Sequence, residues 1–387
     1  MKPIEYVFWI SLFIVFYAYI GYGIVLYLLV IVKNIFIRKK APLPFYPEVT
    51  LVVPAYNEFT CIAAKLKNSL ALDYPKEKLQ LLFVAEGSTD GTLEFLQAQP
   101  GIEVIGGLER KGKIDAINRA MQLVKTPIVV FSDANTALNK DAITKLVSHY
   151  TNPAVAAVAG EKRMLLNSAE GATGAGEGIY WKYESLLKRL DSELNTIVGA
   201  AGELFSMRTA LFIPVEVDTL LDDFMISMRL AGRGYLVKYE PQAYASETPS
   251  HSVQEEMKRK IRISAGGFQS IKRLGYLLNP FRYGLLTFQY VSHRVLRWAV
   301  APFCLVVLLL SNAWLAMYSS FYLLIGIGQV AFYFLAAMGY LLEQRKIRVK
   351  ILYIPFYFSF MNYCIYLGLM RYIQKTQTQL WEKSIRA

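Results

Sequence analysis

Three long stretches of this 387-residue chain carry no charged side chain: between Glu5 and Lys33, between Arg297 and Glu343, and between Lys350 and Arg371. Ionised groups are expensive in hydrocarbon, so apolar runs of about 20 residues mark segments that cross a bilayer. The first and third stretches suit one span each. The second is long enough for two, with a break around Asn312 to Ser320. The N-terminal run exceeds the apolar core of a signal peptide, about 7–15 residues, and no clear cleavage site follows it, so it is expected to persist as an anchor. With 54% hydrophobic residues overall, the chain is too apolar for a simple soluble enzyme.

Basic residues assign the sides. Lys33, Arg38, Lys39 and Lys40 follow the first span, and Arg345, Lys346, Arg348 and Lys350 lie between the later ones. By the positive-inside rule they face the cytoplasm, and so does the central region. Four full spans from an outside N-terminus would place the tail outside, against its own Arg371, Lys375, Lys383 and Arg386; a re-entrant or interfacial last segment, or a different count, resolves the conflict. Much of the net charge of +12 sits beside the membrane segments, where anionic lipid accounts for it. No nucleic-acid-binding motif is visible. Cys61, Cys304 and Cys364, and His149, His251 and His293, are scattered without zinc or redox spacing.

Between about Pro47 and Pro280 the composition turns globular. Val49–Val53, Leu79–Val84, Glu103–Ile105 and Ile128–Phe131 read as strands, alternating with helical stretches at Ile62–Leu72, up to Gln97, and Ile114–Val124. That rhythm predicts a parallel sheet wound with helices. The Gly-rich stretch Gly171–Gly178 reads as a mobile loop, and Leu285–Trp298 as an amphipathic interfacial helix.

Three of the strands end in polar residues: Ala55–Glu58, Glu86–Thr92 and Ser132–Asn135. In open α/β sheets such ends line the ligand crevice. Asp133 and Asn135, two apart, suit a hard cation such as Mg2+ or Mn2+, and equally an Asx turn. Glu86 offers an acceptor to a base or ribose; with Asp90 it also suits a helix start. Arg110–Lys111–Gly112–Lys113 places cations at a helix N-terminus, a phosphate-favouring arrangement or a solvated basic face. Asp222–Asp223 opens a helix as a cap or as a general base. Arg259 and Arg262 share a helix face.

Taken in order, Val52–Glu58, Glu86–Thr92, Arg110–Asn118, Ser132–Asn135, Gly199–Arg208, Asp222–Asp223 and Arg259–Arg262 resemble the family 2 glycosyltransferases, the membrane-embedded group with cellulose, chitin and hyaluronan synthases and ceramide glucosyltransferase. The resemblance covers most of residues 48–270. It implies an α/β architecture: a cytosolic GT-A domain, Rossmann-like with a mostly parallel sheet, and transmembrane α-helices at both ends. The expected segments are an anchor at 1–40, the GT-A domain at 41–280, the interfacial helix at 281–297, and a C-terminal membrane region at 298–387 with about three segments. By the same resemblance Ala55, Tyr56, Glu58, Glu86, Lys113, Asp133 and Arg262 bind a nucleotide-sugar, and Asp133 and Asn135 hold Mg2+ or Mn2+. Asp223, beside Asp222, is the base, and Gly202, Glu203 and Arg259 lie on the acceptor side.

This chain departs from the family pattern in three places. Ala85–Glu86 replaces two aspartates, Asn135 replaces an acid at the metal motif, and Ile263 replaces the tryptophan on which processive enzymes stack the acceptor sugar. The expectation is therefore a multi-pass cell-membrane enzyme that inverts the anomeric centre and moves one sugar per encounter from a UDP- or GDP-sugar to a lipid-linked or saccharide acceptor, with membrane lipids as neighbours and no nucleic acid. A processive polysaccharide synthase is the alternative. Outside the class stand a nucleotide-sensing transporter subunit, disfavoured by spans almost free of ionisable groups, and an inactive nucleotide-sugar-binding scaffold, disfavoured by the retained Asp133 and Asp223.

Overall fold

A computed structural model describes residues 2–36, 44–107, 109–164, 173–248, 252–345 and 349–377. Of the charges that orient the membrane segments, Arg38, Lys39, Lys40, Lys346, Arg348, Lys383 and Arg386 lie outside these residues. The chain forms two compact units. One comprises Lys33–Leu165, Lys188–His251 and Thr378–Ala387; the other comprises Met1–Val32, Leu166–Leu187 and Ser252–Gln377.

The first unit is built on an eight-stranded sheet. Its strands are β1 (Val49–Ala55), β2 (Leu79–Glu86), β3 (Glu103–Gly107), β4 (Ile128–Ser132), β5 (Ala137–Leu138), β6 (Val155–Met164), β7 (Leu204–Arg208) and β8 (Leu236–Glu247), in the order β3-β2-β1-β4-β7-β6-β8-β5. The first four run parallel; β7 is antiparallel to both β4 and β6, β6 and β8 are parallel, and β5 is an antiparallel edge. Helices cover parallel strands on both faces, which is why β1 and β4 are buried along nearly their whole length rather than alternating. The helices Phe59–Leu70, Thr92–Gln97 and Lys113–Leu123 supply the crossovers. Ala55 pairs with Ala85, and Val52 with Phe131, so β1, β2 and β4 end side by side and their polar termini share one edge.

That edge is stitched by its own loops. Asn57 adopts φ +53°, a left-handed conformation asparagine tolerates, and its Oδ1 accepts from the Thr89 amide at 2.8 Å. The Asn57 amide donates to Ser88 Oγ at 3.1 Å, and the Glu58 amide to Thr92 Oγ1 at 3.0 Å. Asp90 accepts from the Phe59 and Thr92 amides, both at 3.1 Å, and so serves the starts of two helices at once.

In the second unit four helices are long and apolar enough to cross a membrane: Lys2–Phe36, Leu285–Ala316, Ser320–Gln344 and Ile351–Gln374. Their sparse polar groups find one another. Tyr19 OH donates to Asn362 Oδ1 at 2.8 Å, Asn312 Nδ2 to Gln329 Oε1 at 3.0 Å, and Trp9 Nε1 to Tyr322 OH at 3.2 Å.

Two expectations are corrected here. The segment Leu285–Trp298 is not a separate amphipathic helix; it runs through a π-helical stretch, Val291–Val300, straight into the helix Ala301–Ala316. Its cations are buried instead of facing water, because the Glu184 carboxylate accepts from Arg294 at 2.6 Å and Arg297 at 3.0 Å and lies 3.3 Å from His293 Nε2. Burial alone would raise the Glu184 pKa, yet Arg294, His293 and Arg297 hold it well below the usual carboxylate range. The described part of the Gly-rich stretch is likewise helical, as the start of Thr173–Leu194. A glycine costs a helix about 1 kcal/mol, which docking of the following turns, buried at Leu187, Leu190 and Leu194, offsets.

Gly199 (φ +87°) ties the sheet to the helix Asp222–Gly232: a β-carbon there would lie 2.1 Å from the Phe224 ring. We therefore expect Gly199→Ala to destabilise the protein by about 2 kcal/mol, through overpacking and a disfavoured φ, with partial recovery in Gly199→Ala/Phe224→Ala. Thermal unfolding of the detergent-solubilised protein tests this; an unchanged melting temperature would contradict the contact.

Candidate active site

Lys113 lies at the centre of the shared strand edge. It opens the helix Lys113–Leu123, after Gly112, whose φ of +101° turns the chain into that helix. Its Nζ is 2.6 Å from Asp133 Oδ1, at the end of β4, and both side chains are largely buried. Asp222 and Asp223 begin the helix Asp222–Gly232 nearby. Between them passes Gly202, where a β-carbon would meet Asp223 Oδ2 at 3.3 Å and Lys113 Nζ at 3.5 Å. The bare backbone at 202 thus brings the β4 end, the Lys113 helix and the Asp223 helix together.

The electrostatics follow from this crowding. Burial pushes the Asp223 pKa up to about 7, the Asp222 charge adds to the shift, and Lys113 opposes it. Asp133 is also raised, by burial first, against the pull of Lys113 and with repulsion from Glu203 and Glu247. Burial would lower Lys113, but Asp133, Asp222 and Asp223 hold it above its ordinary value. A carboxylate titrating near 7 is suited to proton abstraction at neutral pH.

Other expected residues take more local roles. Ala55 is buried in the sheet, so its contribution is backbone. Tyr56 is covered by the Arg110 guanidinium, 3.9 Å from the ring centroid. Glu58 precedes the helix Phe59–Leu70 and its Oε2 accepts from Cys61 Sγ at 3.1 Å. Both Glu86 oxygens are used inside the protein: Oε1 pairs with Arg119 at 3.1 Å and Oε2 accepts from the Gly112 amide at 3.1 Å. The longer acid that departs from the family pattern thereby fixes the turn before Lys113. Arg259 and Arg262 belong to the second unit, on the helix Val253–Arg273, where Arg259 pairs with Glu256 at 3.1 Å.

Two buried lysines under the site escaped sequence reasoning. Lys162 on β6 bridges Glu203 at 2.5 Å and Glu247 at 3.0 Å. Lys65 donates to Ser132 Oγ at 2.7 Å and to the Thr136 carbonyl at 3.0 Å, clasping both ends of the turn that carries Asp133 and Asn135. A signal existed for Lys65: Ile62, Lys65, Leu66 and Ser69 form the buried stripe of one helix, and a lysine on such a stripe requires a partner.

Among the described residues no group of three or more His, Cys, Asp and Glu side chains is arranged to hold a metal. Asp133 and Asn135 supply one carboxylate and one amide oxygen from a single turn. A hard cation that takes its remaining ligands from phosphate oxygens and water fits that donor set, as Mg2+ commonly does.

The sheet has a GT-A fold: a mannosyltransferase from Pyrobaculum calidifontis, PcManGT, solved in complex with GDP-Man and Mn2+, superposes with a TM-score of 0.72 at 21% identity, over 96% of this chain and 100% of that one. Residues 50–210 match the model of glycosyl transferase family 2. Poly-beta-1,6-N-acetyl-D-glucosamine synthase of Staphylococcus aureus is 27% identical over 236 residues, 58% of this chain and 56% of that protein; the Staphylococcus epidermidis enzyme of the same name is 23% identical over 233 residues. The chain thus spans about half the length of the curated relatives it matches.

Burial that lowers the Lys65 pKa to about 7 yields a test. The folded protein releases this proton near pH 7 while the unfolded chain keeps it to about 10.5, so Lys65 penalises stability below 7 and the penalty fades as pH rises. Wild type should gain on Lys65→Met by on the order of 2 kcal/mol between pH 7 and 9. Denaturant titrations at the two pH values measure the difference; a pH-independent gap would place the lysine in water.

Proposed function

We propose that this protein is a membrane-bound, inverting glycosyltransferase that moves one sugar per encounter from a UDP- or GDP-sugar to a lipid-linked or membrane-proximal saccharide acceptor. The observation that carries the reading is the convergence of Asp133, Lys113 and Asp223 around the bare backbone of Gly202. Support comes from the family match and from PcManGT, whose ligands are GDP-Man and Mn2+. The four apolar helices support a multi-pass membrane protein; the catalytic domain on the cytoplasmic side rests on the basic residues beside those helices.

In this reading Tyr56 lies against the nucleobase, and Lys113 meets the diphosphate. Asp133 and Asn135 would hold Mg2+ or Mn2+, which supplies positive charge to a departing diphosphate. Asp223 takes the proton of the acceptor hydroxyl. The acceptor oxygen then bonds to the anomeric carbon from the face opposite the leaving group, the bond to the diphosphate oxygen breaks, and the nucleoside diphosphate departs with that electron pair. Asp222 keeps the Asp223 proton affinity high, and Glu203, held by Lys162, lies toward the acceptor.

The polysaccharide-synthase names of the Staphylococcus relatives favour a second reading, processive polymerisation. A thermal-shift panel of UDP- and GDP-sugars with Mn2+ or Mg2+ identifies the donor, and product length then decides: long polymer from purified protein would defeat single transfer.

Asp223→Asn should lower kcat by 100-fold or more with donor binding kept, since general-base catalysis contributes roughly 10²–10⁴-fold. For the wild type, kcat/KM should rise with pH through about 7, because Asp223 is protonated and unable to accept below that value. Asp222→Asn removes a repelling charge and should move the limb to lower pH. Full turnover in Asp223→Asn would eliminate Asp223 as the base.

A further inference from the structure

We infer that Lys113 competes with a cation for Asp133 and exchanges Asp133 for the donor diphosphate when cation and donor bind together. This rests on the proposed cation site at Asp133 and Asn135. Its ground is the 2.6 Å contact of Nζ with Oδ1, the oxygen of a side chain that is 13% exposed, by an ammonium that is itself 19% exposed. An ammonium at that distance and a divalent cation cannot share one carboxylate oxygen without strong repulsion, so binding of one opposes the other.

The surroundings give the lysine somewhere to go. Gly202 presents no side chain beside Nζ; a β-carbon there would lie 3.5 Å from it. Asp222 and Asp223 also attract the ammonium. A diphosphate offers it new acceptors and supplies oxygen ligands that Asp133 and Asn135 alone do not provide. Linkage then requires reciprocity: nucleotide strengthens the cation, the cation strengthens nucleotide, and Lys113 carries part of that coupling. A lysine that did not oppose the cation at Asp133 would leave cation affinity of the free protein unchanged when removed.

The experiment measures Mn2+ binding to the full-length protein in detergent, by the loss of the free Mn2+ EPR signal, with and without UDP or GDP. In wild type, binding should be weak alone and strengthen with the nucleotide that fits. Lys113→Gln should bind Mn2+ about tenfold more tightly than wild type without nucleotide, the scale on which one adjacent opposite charge shifts an equilibrium, and should gain less from nucleotide. Lys113→Arg, which keeps the charge, should stay near wild type; Asp133→Asn should lose Mn2+ in every arm. Unchanged or weaker Mn2+ binding by nucleotide-free Lys113→Gln would overturn the exchange while leaving the cation site standing. Absence of Asp133-dependent Mn2+ binding in wild type, even with nucleotide, would overturn the cation site and the exchange with it.

Discussion

The ion pair of Lys113 with Asp133, 2.6 Å apart, is the contact through which the other charges of the sheet edge are balanced. Asp133, Asp222, Asp223, Glu203 and Glu247 lie half-buried or buried close together, and like charges at such range cannot all ionise cheaply. Three lysines meet them. Lys162 neutralises the Glu203 and Glu247 side, Lys113 lies between Asp133 and the Asp222–Asp223 pair, and Lys65 braces the Asp133 turn from behind. Removing a positive charge from this set leaves buried acid uncompensated.

Much of that arrangement is legible in the chain, for a physical reason. Strand ends in a parallel sheet are set by short apolar runs, and the chain leaving each run must turn polar as it reaches the sheet edge. Val49–Val53 and Ile128–Phe131 therefore announce where Asn57 and Asp133 emerge. The helix start at Asp222 is equally plain, since two acids ahead of an apolar run suit a helix N-terminus. Lys65 and Lys162 escape because their partners are distant in sequence: Lys65 reaches 67 residues to Ser132, and Lys162 reaches 85 to Glu247. Glu86 reads as a ligand group because nothing local reveals Arg119 as its partner, 33 residues on.

The unit with the four apolar helices shows the same limit. Leu285–Trp298 has the charge pattern of a helix lying on a surface, and from the chain alone its cations need water. Glu184 removes that need by gathering Arg294, Arg297 and the buried His293 around one carboxylate. A charge pattern identifies an interfacial helix only when no distant counter-ion exists, and amphipathicity carries no information about such a partner. The π-helical winding of Val291–Val300 places Ser292, His293 and Arg297 all in buried positions.

Single transfer and polymerisation differ physically in what happens after the diphosphate leaves. A polymerase must keep its product bound while the new terminus moves back to the base, and an aromatic face beside the site does this cheaply because stacking tolerates sliding of a sugar ring. In this chain Ile263 stands where the family resemblance leads one to expect a tryptophan, on the helix Val253–Arg273. A branched aliphatic side chain offers neither a flat face nor the same area. Retention would then have to come from elsewhere, and the lipid anchor proposed for the acceptor would supply it. Under the proposed single-transfer reading, the acceptor's hold on the enzyme would be borrowed from the bilayer rather than from a stacked ring.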